Sequence, residues 1–102
     1  MSNFFEIINQ QVPTLVDFYA TWCGPCKMQS PILDEVKSKI GDAGTIVKID
    51  VDRNQELAAQ YRVQSVPTLM MFCGGNMVWR ASGVQSAEVL VAKFAEFSQK
   101  EK

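Results

Sequence analysis

Trp22-Cys23-Gly24-Pro25-Cys26-Lys27 follows an apolar run, Thr14-Leu15-Val16-Asp17-Phe18-Tyr19-Ala20, and leads into a stretch with helical spacing. Two thiols two residues apart at a strand-to-helix junction read as a dithiol–disulfide redox centre. In the first turn of a helix such a pair can close a small disulfide ring and reopen it with little rearrangement. The first thiol sits where unpaired backbone N–H groups and the positive end of the helix dipole favour a thiolate, which makes Cys23 the expected nucleophile. Cys26, one turn further in, is expected to be more shielded and to attack the Cys23 sulfur once a mixed disulfide has formed. The competing reading is half of a zinc site, which draws about four ligands from Cys, His and carboxylates. The chain has no histidine and, besides the pair, only Cys73, so no metal is assigned.

Composition bounds the rest. A chain of 102 residues, 47% hydrophobic and 21% charged, is ordinary globular material, and one domain over residues 1–102 is expected. A formal net charge of −1 offers no electrostatic case for nucleic acid or an anionic membrane. No apolar run approaches the roughly 20 residues that span a bilayer. The start Met1-Ser2-Asn3-Phe4-Phe5-Glu6 has no basic region and no long apolar stretch, so the cytoplasm is the expected compartment.

Hydrophobic periodicity alternates between strand-like and helix-like segments, the pattern of an α/β domain. Asn3 and Glu6 form a capping-box pattern ahead of a short helix that ends before Pro13. Leu15–Ala20 reads as a strand. Met28, Ile32, Val36 and Ile40 recur every four residues in a helix that Pro31 should kink and Gly41 closes. Thr45–Val51 is strand-like, Asn54 should cap a short helix through Tyr61, and Thr68–Cys73 with Met77–Ala81 makes a hairpin around Gly74-Gly75-Asn76. Ser86 opens a last helix with Leu90, Phe94 and Phe97 facing inward.

Asp17 is the anomaly: an acid breaking the apolar run of a strand that should be central. Burial there would raise its pKa by desolvation. The bland alternative is a side chain that points to solvent.

The segment Val16–Met28 with Pro31-Ile32-Leu33-Asp34-Glu35, together with Lys48–Asp52, Val63-Gln64-Ser65-Val66-Pro67-Thr68 and Gly83, resembles the thioredoxin family over about residues 3 to 98. That resemblance implies the thioredoxin fold, a mixed sheet flanked by four helices. It implies Asp17 as the proton-transfer group for Cys26, with Lys48 modulating it, although Lys48 could equally be an edge gatekeeper. It implies a cis bond at Val66-Pro67, with the backbone before it open to an extended substrate. Trp22, Val66, Pro67 and Gly83 would then form the docking surface around Cys23, while Gly24 and Pro25 tune the pair towards reduction. No bound cofactor is implied, because the two sulfurs carry the electrons. The implied partners are a thioredoxin reductase and proteins that carry disulfides.

The chain starts late relative to the family, so four strands are expected rather than five. The strand at Lys48 is then an open edge, in a monomer that has a route to dimerisation there. Tyr19 stands where many members have tryptophan, Cys73 reads as a bystander, and Trp79 has no functional case. Asp52 is expected near Tyr19 or capping the turn before Asn54. The leading function is a general protein disulfide reductase, since more oxidising relatives carry a histidine between their cysteines. A binding module that uses the same surface with incidental redox activity is the alternative, and loss of Cys23 separates the two.

Overall fold

The computed structural model describes residues 3–99. Its elements run α1 (Phe4–Ile8), β1 (Thr14–Tyr19), α2 (Gly24–Ile40), β2 (Thr45–Asp50), α3 (Gln55–Gln60), β3 (Thr68–Cys73), β4 (Asn76–Ser82) and α4 (Ala87–Gln99), with a 3₁₀ turn at Gly41–Ala43. The strands form one mixed sheet in the order β2-β1-β3-β4. β1 is parallel to β2 and antiparallel to β3. The four-stranded expectation holds, and β2 is an edge among the described residues. Thr45 and Val51 N–H donate inward to Pro13 O and Tyr19 O, both at 2.9 Å. By strand alternation the backbone groups of Ile46, Lys48 and Asp50 therefore face outward.

Both faces of the sheet are covered, which explains why β1 and β3 are nearly continuous apolar runs. Leu15, Leu69 and Met71 pack with Leu33 and Val36 of α2 and Leu90, Phe94 and Phe97 of α4. Val16, Phe18, Met70 and Phe72 point the other way, against Ile8, Phe4, Leu57 and Tyr61 of the α1/α3 layer. By parity Asp17 shares the α2 face with Leu15, directly beneath the active-site helix.

The caps follow the sequence closely. Asn3 and Glu6 close a reciprocal capping box on α1, and Ser86 Oγ accepts from Val89 N–H at 3.2 Å ahead of α4. The hairpin turn narrows to Gly74-Gly75, whose φ values of 56° and 88° lie in the left-handed region that a two-residue turn requires. Asn54 does occupy the N-cap of α3, but its side chain makes no cap bond. Its Nδ2 donates back to Asp50 O at 2.9 Å instead.

The helix read from the apolar repeat is present, but the buried stripe of α2 is not that repeat. Cys26, Gln29, Leu33 and Val36 are buried, whereas Met28 is 64% exposed and Ile32 and Ile40 are only partly covered. A strict four-residue repeat advances about 40° around a helix at each step, so it drifts off the core face that Cys26 sets. Pro31 lies inside the helix, which continues through it to Ile40.

Gly44 joins α2 to β2 in extended backbone against Phe94, and a Cβ there would overlap the edge of that ring. Phe94 is itself 1% exposed and packed in the α2/α4 core, so its ring must shift to make room. Gly44→Ala is therefore expected to lower the urea unfolding midpoint, at about 1–3 kcal/mol of lost stability, while leaving the redox pair chemically intact.

Candidate active site

β1 ends at Tyr19, and within four residues the chain turns from the centre of the sheet into α2. Cys23 is the N-cap of α2, in extended backbone, and Pro25 occupies the first turn, where its missing N–H leaves nothing unsatisfied. The Cys23 sulfur accepts from Cys26 N–H at 3.1 Å. The two cysteines are joined as a disulfide with Cα atoms 5.3 Å apart. Gly24 and Pro25 are exposed beside them.

The expected contrast in exposure between the thiols is not found: Cys23 is 4% and Cys26 5% exposed. They differ in what they face. Cys23 Sγ lies 3.6 Å from Val66 O, on the residue before the cis Val66-Pro67 bond. Cys26 lines an open cleft of about 200 Å³ shared with Asp17, Tyr19, Lys27, Ser30 and Lys48. The outer sulfur thus lies against the Val66 loop, and the inner cysteine shares its cleft with the acid.

Asp17 is 1% exposed, and its Oδ1 has no hydrogen-bond partner among the described residues. Burial pushes its pKa from the ordinary 3.8 up to about 6, against a smaller opposing pull from the Lys48 ammonium. Lys48 is Asp17's register partner on β2, and its Nζ donates to Ser30 Oγ on α2.

Around Cys23, Trp22 is 70% exposed, so it is not a core aromatic. Its Nε1 donates to Asp52 Oδ2 at 2.9 Å, which holds the indole beside a groove of about 160 Å³ lined by Val51, Val63, Ser65 and Val66. The Asp52 side chain thus serves Trp22 rather than a cap on the turn before Asn54. Gly83, at φ 86°, has open space where a Cβ would project, and its N–H donates to Pro67 O at 2.9 Å, tying the two loops together. Trp79 is half-buried against the α2/α4 core, with Lys93 Nζ 5.9 Å from its ring centre. Cys73 packs at the edge of that same core, away from the redox pair.

Three contributors escape a reading of the sequence. Asp52 orients Trp22, Ser30 receives Lys48, and Gln29 ties the Gly83 loop to α2. Gln29 is fully buried, donating to Gln85 O at 3.0 Å and accepting from Gln85 N–H at 2.7 Å. Only Gln29 leaves a signal, as a polar residue at i+3 from Cys26 on the inward face.

Among the described residues no helix is long and apolar enough to cross a membrane. The thioredoxin family model matches residues 1–96. A thioredoxin-like protein of Synechocystis sp. is 46% identical over 97 residues, covering 94% of this chain and 92% of that one. A bifunctional thioredoxin reductase/thioredoxin of Mycobacterium leprae is 41% identical over 95 residues, 93% of this chain but 21% of the relative. The solved structure of a mutant thioredoxin from Halobacterium salinarum superposes with a TM-score of 0.84 at 35% identity, covering 92% of this chain and 81% of that one. With a dithiol pair at a helix N-cap, a four-stranded mixed sheet between helical layers and relatives that match along nearly the whole length, the chain belongs to the thioredoxin family and is a thiol–disulfide oxidoreductase of the protein-disulfide-reductase type.

Proposed function

We propose that Cys23 is the attacking sulfur, Cys26 the resolving one and Asp17 the group that takes the Cys26 proton. The position of Cys23 Sγ supports this reading above all, at the N-cap of α2 and 3.6 Å from Val66 O. A substrate strand lying along Val66 brings its own disulfide to that sulfur. The Cys23 thiolate forms a bond to one substrate sulfur and the substrate S–S bond breaks, its second sulfur leaving as a thiolate that takes a proton from solvent. Cys26 then passes its proton into the cleft to the Asp17 carboxylate and attacks Cys23 Sγ. The Cys23–substrate bond breaks, the substrate's remaining sulfur leaves, and two electrons have passed from the protein pair to the substrate.

A thioredoxin reductase reloads the pair, a partner supported by the M. leprae relative whose name carries both activities. The working compartment is the cytoplasm and the working form a monomer, with the charged Lys48 on β2 discouraging strand addition at the open edge. Trp22, Val66, Pro67 and Gly83 form the docking surface, with Gly24 and Pro25 holding the pair on the reducing side. Cys26→Ser is expected to accumulate a covalent mixed disulfide with an oxidised substrate protein, visible by non-reducing electrophoresis, and Cys23→Ser to give none. Trapping through Cys26 with Cys23 absent would reverse the assignment.

The buried acid has its own signature in stability. Below the ordinary 3.8, Asp17 is protonated folded and unfolded alike; above about 6 it is ionised in both, and the folded state bears the full desolvation penalty. The gap corresponds to about 3 kcal/mol. Asp17 therefore destabilises the fold increasingly as pH rises through that window. In urea unfolding of the oxidised protein, the stability of Asp17→Asn relative to wild type is expected to rise by about 3 kcal/mol between pH 3 and pH 8, and a pH-independent difference would contradict the burial argument.

A further inference from the structure

Lys48 stands beside Asp17 in the parallel register of β1 and β2, where an opposite charge ordinarily closes onto a carboxylate. Here it does not. The Lys48 ammonium is bound to Ser30 Oγ on α2, and no ion pair joins Lys48 to Asp17 among the described residues. Asp17 Oδ1 is left buried and without a partner. Ser30 lies four residues after Cys26, on the same side of α2, and both line the cleft with Asp17 and Lys48.

We propose that Ser30 is a positioning residue for proton transfer: its hydroxyl holds the Lys48 ammonium at the rim of the cleft, off Asp17, and so keeps the Asp17 carboxylate unpaired and able to take the proton of Cys26. This rests on the reading of Asp17 as the proton partner of Cys26. Two acceptors compete for one ammonium. A carboxylate locked against Lys48 is a weaker base, because the positive charge stabilises its ionised form. A neutral hydroxyl at the rim accepts the same N–H without moving the charge inward. Without it, the buried acceptor on Asp17 lacks a partner and draws the ammonium across the cleft, since an unsatisfied buried oxygen is costly. The other titratable groups at the cleft are Lys27 of α2 and Tyr19 of β1, since Cys26 is held in the disulfide. From β3 the register partner of Asp17 is Leu69, which carries no charge.

The test follows the Asp17 carboxyl carbon by NMR across pH in the oxidised 102-residue chain, for wild type, Ser30→Ala, Ser30→Thr, Lys48→Met and the Ser30→Ala/Lys48→Met double variant. Ser30→Ala is expected to move the midpoint down from about 6 by about one pH unit, while Ser30→Thr, which keeps the hydroxyl, stays at the wild-type value. Lys48→Met should move it up, and the double variant should match Lys48→Met, because the tether acts only through the lysine. An unchanged midpoint in Ser30→Ala, or a downward shift that survives without Lys48, overturns the proposal whatever the rates do. The acid limb of the pH profile for insulin disulfide reduction should move down with the midpoint. If the midpoint moves and that limb does not, the tether stands and Asp17 falls as the proton partner.

Discussion

A 3.1 Å hydrogen bond from Cys26 N–H to the Cys23 sulfur makes a reactive atom serve as a helix cap, and the geometry of the site hangs on it. Most helices are capped by an oxygen of Ser, Thr, Asp or Asn that has no other duty. Here the capping atom is the one that carries electrons, so the backbone dipole at the helix start stabilises negative charge on it. The position of that cap is set by β1, which runs through the centre of the sheet and delivers the chain to α2 within four residues of its end. The central sheet makes the helix start rigid, and the rigid helix start aims the two sulfurs at different surroundings.

The second constraint works against stability. A carboxyl group beneath the active-site helix, 1% exposed and without a partner for Oδ1, is retained beside a core made mostly of Leu, Met and Phe side chains. An apolar residue there would pack at least as well and remove the desolvation penalty. On the proposed reading the acid serves as a proton acceptor whose basicity is raised by burial, in a cleft that it shares with Cys26. The proposed tether of Lys48 to Ser30 would then set how much of that basicity survives next to a cation.

Much of this is legible in the sequence, and the failures have a common cause. The cysteine pair announces itself because its spacing is local, and Asp17 because an acid breaks a β-branched and aromatic run. The capping box, the two-glycine turn and the inward face of α4 are local as well, and each appears where the residues indicate. The buried stripe of α2 is not the apolar repeat that marks the helix, because a four-residue repeat in sequence is not a straight line on a helix with 3.6 residues per turn. Asp52, Ser30 and Gln29 escape because their partners lie 30, 18 and 56 residues away, and no local pattern encodes such a meeting. The equal burial of the two cysteines escapes for the same reason. Val66 lies against the outer sulfur from a loop distant in sequence.

Donation of electrons from the Cys23–Cys26 pair to protein disulfides stands or falls with the reduction potential of that couple. The chain would be equilibrated against glutathione and dithiothreitol buffers with Trp22 fluorescence as the readout, in wild type and in Cys73→Ser, which removes the third thiol. A couple on the reducing side of glutathione, unchanged by Cys73→Ser, is the predicted result. A couple more oxidising than glutathione would contradict that role and make the chain an oxidant or isomerase of disulfides.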